Sequence, residues 1–191
     1  MLKSEIKPGT EFNFNGEYFI FGKEVMELKD SSKDIDDFEL LKKKLKTDGY
    51  LFIRGFHNQN RIEGARNFIL RAINEDGGLK EDSRIEDGLV GKENKNYAFF
   101  RDIKVAHSEE VLAVVNSQKT FQFFENLLGG KIITFDKRWL RCMAKGGQNH
   151  FHYDYVYVGR GSKSRLSMWS CFTHTELNGG PLVICLGSHK H

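Results

Sequence analysis

The part of the sequence that begins at Lys131 most constrains what this chain can fold into. It contains five strand-like runs rich in apolar and β-branched residues: KIITF, RWLRCMA, HFHYDYVYV, RLSMWSCFT and PLVICL. Turns that contain glycine separate most of these runs, as at Gly146-Gly147 and Gly159-Arg160-Gly161. The residues before Lys131 are mostly typical of helices. Helices followed by consecutive strands predict an α+β or mainly β fold rather than alternating β-α-β units.

Capping residues, glycines and apolar periodicity delimit the elements before Lys131. The predicted elements are a helix from Ser31 or Ser32 to Gly49, a strand over residues 50–56, a helix from Asn58 or Asn60 to Gly77, a polar surface loop over residues 79–96, a helix from Ser108 to Val115, and a helix over residues 118–128.

Composition excludes several classes of protein. A chain of 191 residues, 39% of them hydrophobic, is long and apolar enough for one globular domain. The net charge of +3 is near balance, which gives no reason to expect nucleic acid. No apolar run reaches the ~18 residues of a membrane span, and the N-terminus lacks the apolar core of a signal peptide. The three cysteines form no C-x-x-C pair. We therefore expect a cytoplasmic protein with reduced thiols that binds neither nucleic acid nor a membrane.

The run HFHYDYVYV carries the residues best suited to chemistry. On a strand, His150, His152 and Asp154 share one face, because side chains alternate. Neighbours on a face are about 6.6 Å apart along the strand, so two can converge on one metal ion, whereas His150 and Asp154 are about 13 Å apart. His152 and Asp154 supply an imidazole and a carboxylate, two of the three ligands in the facial triad of non-haem Fe(II) oxygenases. Alternatively, the two side chains hydrogen-bond one another on an exposed face.

The surrounding residues resemble the phytanoyl-CoA dioxygenase family of Fe(II)- and 2-oxoglutarate-dependent oxygenases. The features that carry the resemblance, over residues 36–190, are His152-x-Asp154, Trp169 fifteen residues after that aspartate, the run NGGPLVI from Asn178, the GSHK run that ends at Lys190, and KTDGYLFIRGF at residues 46–56. The resemblance implies a double-stranded β-helix, or jelly roll, buttressed by the N-terminal helices. It implies His152 and Asp154 as iron ligands, with no further catalytic residue.

Two further residues are expected to contact the co-substrate, 2-oxoglutarate. The resemblance places Trp169 near its pocket and a contact on the strand before His152, where Trp139, Arg141 and Met143 share a face. An inward-facing Arg141 would need an anion, which a dicarboxylate supplies. The alternatives are that Trp169 packs in a core and that Arg141 is solvated. His189 is expected to stabilise the GSHK turn or border the pocket, and Arg101 and the 79–96 loop could reach the pocket mouth.

The activity that the resemblance implies is a dioxygenase reaction. Such an enzyme hydroxylates or otherwise oxidises an unactivated C–H bond of a small-molecule substrate, consumes 2-oxoglutarate and O2, and releases succinate and CO2. Two alternatives remain. A cupin-like metal-binding protein would pair His150 with His152 and would want a glutamate where Val156 or Tyr157 stands. A non-catalytic jelly-roll binding module would need no complete metal site.

We predict a single oxygenase domain over residues 1–191, in which residues 1–130 form a helical buttress and residues 131–191 form the first strands of the jelly roll. Five strands are fewer than the eight of a closed jelly roll, so the fold is expected to be truncated at its C-terminus. The third iron ligand, and the arginine that binds the far carboxylate of 2-oxoglutarate, are accordingly expected beyond residue 191.

Overall fold

The computed structural model describes residues 6–14, 16–99, 103–176 and 179–191. Arg101 and Asn178, named above, lie outside these ranges. The chain divides into two compact units, a hairpin unit made of residues up to 54 together with residues 148–191, and a helical unit made of residues 55–147. The elements are β1 (Glu11–Phe14), β2 (Glu17–Ile20), α1 (Phe38–Asp48), α2 (Gln59–Glu75), α3 (Ile103–Ala106), α4 (Glu109–Val115), α5 (Gln118–Leu128) and α6 (Asp154–Tyr157).

The helical unit is organised around α2, which begins after Asn58. The side-chain oxygen of Asn58 accepts a hydrogen bond from the backbone N–H of Arg61 at 3.2 Å, which satisfies a donor that the helix start leaves unpaired. Of the two predicted starts, Asn58 is therefore the correct one. The buried side chains of α2 are Ala65, Ile69, Leu70 and Ile73.

The predicted extents of α4 and α5 are confirmed. Ser108 accepts a hydrogen bond from the N–H of Val111 at the start of α4, as expected for a cap. α5 ends at Gly129, whose φ of 76° lies in the left-handed region that favours glycine. Val111 and Val114 of α4 are each 1% exposed, and α4 packs against α2.

Nearly all buried apolar side chains belong to the helical unit. In the described residues, every buried hydrophobic residue except Leu41 lies between Gly55 and Gly147. The rings of Phe56 and Phe123 meet edge to face with 5.1 Å between their centroids, an arrangement that aromatic pairs prefer. The helical unit therefore has a hydrophobic core of its own.

The loop over residues 79–96 is largely irregular and exposed, as predicted, apart from one 3₁₀ turn at Ile85–Asp87. Leu79 is buried, and its backbone forms a bridge with Val90. Arg66 of α2 donates a hydrogen bond to the carbonyl of Glu86 at 2.8 Å, which ties the loop to the helix. A role for the loop at a pocket mouth stays a prediction.

The hairpin formed by β1 and β2 is not among the elements predicted from the sequence. The strands are antiparallel and pair Phe12 with Phe19. The sequence carried a signal for it, because Asn15-Gly16 stands between two alternating runs, which is typical of a two-residue hairpin turn. The ring of Phe14 lies 6.3 Å from that of Phe151, so the hairpin contacts the segment that leads to His152.

α1 begins later than predicted. Its cap is Asp37, which accepts a hydrogen bond from the N–H of Leu40 at 2.9 Å. Ser32 instead begins a 3₁₀ turn, and its N–H donates to the carboxylate of Asp30 at 2.8 Å. The predicted end at Gly49 is confirmed, with a φ of 83°.

The strand predicted over residues 50–56 does not form. Phe52 makes one isolated parallel bridge to Asp30, and the chain turns at Gly55 with a φ of 63°. A ladder needs several consecutive partners. The residues that follow Asp30 are engaged in the 3₁₀ turn instead.

The five strand-like runs after Lys131 do not form strands in the described residues, so that prediction is wrong. One isolated bridge joins Cys142 to Tyr97, and the run HFHYDYVYV contains helix α6. β-propensity mainly reflects packing against neighbouring strands, and these runs have no ladder partners among the described residues. Several of their apolar side chains are exposed, Val156 by 74% and Leu186 by 71%. The described fold is helical with one two-stranded sheet rather than mainly β, and the jelly roll stays a prediction.

The three cysteines are free, as expected, and burial raises the pKa of the Cys142 and Cys171 thiols. Among the described residues, no helix combines the length and the apolarity that crossing a bilayer requires.

His189 lies at the C-terminal end of α1. Its Nε2 donates a hydrogen bond to the carbonyl oxygen of Lys46 at 3.1 Å, one of the acceptors that a helix end leaves unpaired. A Cβ atom added at Gly49 would collide with Nδ1 of His189, so the imidazole fills the space beside this glycine. The GSHK run is thus attached to the end of α1.

The change Gly49→Ala is expected to lower the free energy of unfolding by more than the change Gly129→Ala. Both glycines end a helix with a positive φ, so each substitution carries a conformational cost of about 1 kcal/mol. The space beside Gly129 is open, whereas the new methyl group at residue 49 would collide with His189. Urea denaturation followed by circular dichroism measures both costs.

Removal of the imidazole provides the control. Adding His189→Ala to Gly49→Ala should reduce the extra cost, since the collision disappears. If the two single glycine changes lower the free energy of unfolding equally, the contact with His189 does not add to the effect of Gly49→Ala.

Candidate metal centre

His152 and Asp154 lie on either side of the start of α6. Tyr153, between them, is extended with φ −100° and ψ 125°, and the helical turn begins at Asp154. The two side chains meet, with Nε2 of His152 3.4 Å from Oδ1 of Asp154. The predicted neighbours are therefore together, although the start of a helix and not the face of a strand joins them.

The backbone of His150 orients the imidazole of His152. Nδ1 of His152 lies 2.7 Å from the carbonyl oxygen of His150. A carbonyl oxygen only accepts, so Nδ1 carries a hydrogen, and in a neutral ring the lone pair is then on Nε2. Metal-binding histidines commonly donate their second ring N–H in this way. Nε2 is therefore the nitrogen available to a ligand on the side of Asp154.

The distance between the two donor atoms suits a shared ion. Two atoms that each lie about 2.1 Å from one metal ion are about 3.0 Å apart at a right angle and about 3.4 Å apart at a tetrahedral angle. The side chains of His152 and Asp154 are 39% and 57% exposed, so an ion can reach them. An imidazole nitrogen and a carboxylate oxygen are donors that Fe(II) accepts. A protonated imidazole would instead form a direct ion pair with the same geometry.

A third ligand is not assembled in the part of the chain that the structure describes, where no three His, Cys, Asp or Glu side chains are placed to hold one ion. His150, the first residue of the cupin-like alternative, contributes its backbone carbonyl to the orientation of His152. The pair formed by His152 and Asp154 is accordingly the candidate centre.

Tyr157 restricts the orientation of His152 from the other side. It lies at the end of α6, and its ring meets the imidazole edge-on, with 5.4 Å between centroids and an interplanar angle of 86°. With one ring nitrogen bonded to His150 and one face against Tyr157, the imidazole has little freedom to rotate.

Arg165 holds the chain that follows α6 and is not among the site residues predicted from the sequence. Its guanidinium lies 4.7 Å from the ring centroid of Tyr155, and its Nη1 donates hydrogen bonds to the carbonyls of Val158, at 2.7 Å, and Arg160. Its Nη2 is buried without a hydrogen-bond partner among the described residues. The signal in the sequence was that Arg165 begins the apolar run RLSMWSCFT and is the one cation within it.

Trp169 belongs to the hairpin unit and lies in an irregular segment. Its indole is 51% exposed, so the alternative of a core tryptophan is wrong for this structure. Its predicted place beside 2-oxoglutarate is not tested by this exposure and stays a prediction.

Arg141 belongs to the helical unit. Its side chain is exposed, whereas the sequence predicted that it faces inward. Along residues 138–144, Leu140 is buried, whereas Trp139, Arg141 and Met143 are exposed. The residues alternate as predicted, but the apolar side chain of Leu140 takes the inner side, because burying an apolar side chain is favourable whereas burying a charged guanidinium is costly. The inward orientation of Arg141 is therefore corrected, and its contact with 2-oxoglutarate stays a prediction.

A comparison with protein families identifies this chain through the region that holds these residues. A model of the phytanoyl-CoA dioxygenase family matches residues 45–191, which is more than half of the chain. The chain belongs to the phytanoyl-CoA dioxygenase family. In general, this family consists of Fe(II)- and 2-oxoglutarate-dependent oxygenases. No curated protein and no solved structure matches the chain significantly.

The family match includes the residues of the candidate metal centre and of the contact between His189 and the end of α1. His152, Asp154 and Arg165 lie inside it, as do Gly49 and His189. The resemblance read from the sequence is thereby confirmed for the family.

The change Arg165→Gln is expected to loosen the turn after α6. Loss of the guanidinium removes two hydrogen bonds to carbonyls and the contact with Tyr155, which should lower the free energy of unfolding by about 1 kcal/mol. The backbone N–H of Val158, bonded to the carbonyl of Asp154, should then exchange with solvent faster. Hydrogen exchange followed by NMR measures this rate.

Lys163→Gln is the matched control, because it removes one positive charge from an exposed side chain of the same loop. Exchange at Val158 that is equally fast in both variants would contradict a positioning role for Arg165.

Proposed function

We propose that this protein is an Fe(II)- and 2-oxoglutarate-dependent dioxygenase that hydroxylates or otherwise oxidises an unactivated C–H bond of a small molecule, with release of succinate and CO2. The observation that carries the proposal is the pairing of His152 Nε2 with Asp154 Oδ1, in a ring orientation suited to metal binding, within a chain of this family.

His152 and Asp154 would hold the iron in this proposal. His152 would bind through Nε2, because Nδ1 is committed to the carbonyl of His150. Asp154 would add a carboxylate oxygen and a negative charge that offsets the charge of the cation. When bound, Fe(II) supplies the redox chemistry that activates O2, while the protein supplies binding and orientation.

Trp169 and Arg141 are assigned to 2-oxoglutarate on the basis of the family resemblance. The guanidinium of Arg141 offers two parallel N–H donors that match a carboxylate. The indole of Trp169 offers an apolar surface beside which the carbon chain of a dicarboxylate can lie. Both side chains are exposed and so accessible to a ligand.

The changes His152→Ala and Asp154→Ala are each expected to abolish stoichiometric Fe(II) binding, because each removes one of two donors. His150→Ala should retain it, because His150 orients His152 through its backbone carbonyl, which alanine keeps. Metal analysis of protein loaded anaerobically with Fe(II) measures the stoichiometry, and unfolding curves check that each variant is folded.

The three variants also separate the alternatives. Retained iron in His152→Ala or Asp154→Ala would show that the ligand pair is wrong. Loss of iron in His150→Ala would favour the cupin-like pairing of His150 with His152.

Turnover tests the reaction itself. Protein supplied with Fe(II), 2-oxoglutarate and O2 is expected to release succinate, since this family couples 2-oxoglutarate decarboxylation to oxidation, and His152→Ala should not. Chromatographic quantification of succinate measures it. Stoichiometric iron binding without consumption of 2-oxoglutarate would exclude the dioxygenase and favour a non-catalytic binding protein.

A further inference from the structure

A cavity of about 240 Å³ lies in the helical unit, where α2 and α5 begin. Three basic residues line it, namely His57, Arg61 and Lys119, together with the polar residues Asn58, Ser117 and Gln118. Nothing in the proposed dioxygenase reaction uses these residues.

Within the described residues, two cations of this cavity, Arg61 and Lys119, have no acidic partner. No aspartate or glutamate is among the lining residues that the structure describes. Nη1 of Arg61 donates to the carbonyl of Ala113 at 3.1 Å, and Nζ of Lys119 donates to the carbonyl of Phe56 at 2.6 Å. Both partners are neutral, so these hydrogen bonds do not compensate the two positive charges.

These contacts place the cations without exhausting their donors. A guanidinium has five N–H donors and an ammonium has three, and each side chain uses one of them on a carbonyl. Lys119 is also held over the ring of Phe56, with 4.7 Å from Nζ to the centroid. Both cations are therefore held in place with donors to spare.

The local field of the cavity is positive from several sources. Burial and the nearby charge of Lys119 lower the pKa of His57. α2, of 17 residues, and α5, of 11 residues, both begin at the cavity, and the start of a helix carries a partial positive charge. An anion in the cavity would relieve this accumulation of like charge.

We propose that this cavity binds a phosphate-type oxyanion, held by Arg61 and Lys119 beside His57. Several donors around one volume match the tetrahedral oxygens of phosphate, and the forked guanidinium suits phosphate oxygens. The volume is about eight times the ~30 Å³ that one water occupies in the liquid, which leaves space for the phosphoryl group of a small ester as well as for free phosphate. The site lies wholly in the helical unit, so its test is independent of iron and of dioxygenase activity.

The test uses inorganic phosphate as the probe. The metal-free protein is titrated with phosphate at a constant ionic strength set with sodium chloride, and binding is followed by ¹H–¹⁵N NMR and by the pH titration of the His57 ring protons. We expect saturable shifts at the starts of α2 and α5. We also expect a rise in the pKa of His57, because a bound dianion stabilises the imidazolium form.

Charge variants identify the ligands. Arg61→Gln and Lys119→Met should each weaken phosphate binding about tenfold, as expected for loss of a hydrogen bond to a charged group. Lys119→Arg should retain binding. Lys80→Met, which removes the same charge from an exposed residue outside the cavity, should leave it unchanged.

Three outcomes would overturn the proposal: phosphate shifts that do not saturate, a His57 pKa that phosphate does not raise, or an equal loss of binding in Lys80→Met. Thermal unfolding of each variant verifies that it is folded. If Lys119→Met does not fold, phosphate binding by Arg61→Gln and Lys119→Arg still tests the proposal.

Discussion

The packing of α2 against α4 is the interaction on which the helical unit depends. Val111 and Val114 of α4 are almost completely buried, and α2 contributes Ala65, Ile69 and Ile73. Fully burying a valine or isoleucine side chain is worth about 1.5–3 kcal/mol, so these few contacts outweigh the capping interactions of about 1 kcal/mol each. Because the packing fixes where α2 begins and α4 ends, Arg61 reaches the carbonyl of Ala113. Lys119 likewise reaches the carbonyl of Phe56. The cluster of cations is a consequence of this core.

The hairpin unit is held together differently. Among its described residues, Leu41 is the only buried hydrophobic side chain, and the remaining organisation comes from local contacts. His189 donates to the end of α1, Phe14 meets Phe151, and Arg165 holds the carbonyls that follow α6. The candidate metal centre is built in the same way, from the carbonyl of His150 and the ring of Tyr157. Its geometry therefore depends on residues within a few positions of His152, and its exposure leaves the donors accessible to an ion.

Local signals in the sequence predicted local structure well. The caps at Asn58 and Ser108 and the glycines at 49 and 129 mark helix ends because the hydrogen bonds involved span only a few residues. That the runs after Lys131 form no strand in the described residues was not predictable in this way, since a strand exists only when another segment pairs with it. Alternation along residues 138–144 likewise defined two faces without specifying that Leu140, and not Arg141, would be buried.

The sequence by itself determined the family, the ends of the main helices and the chemical identity of the His152 and Asp154 pair. These properties reside in residue types and short spacings. Only the tertiary structure decided that the start of α6 joins the pair, that Trp169 and Arg141 are exposed, and that Arg165 holds the following turn. It also brought cations of α2 and α5, about sixty residues apart in the chain, to one cavity. The physical reason is that convergence of distant side chains depends on which apolar surfaces are buried together, and short-range patterns do not contain that information.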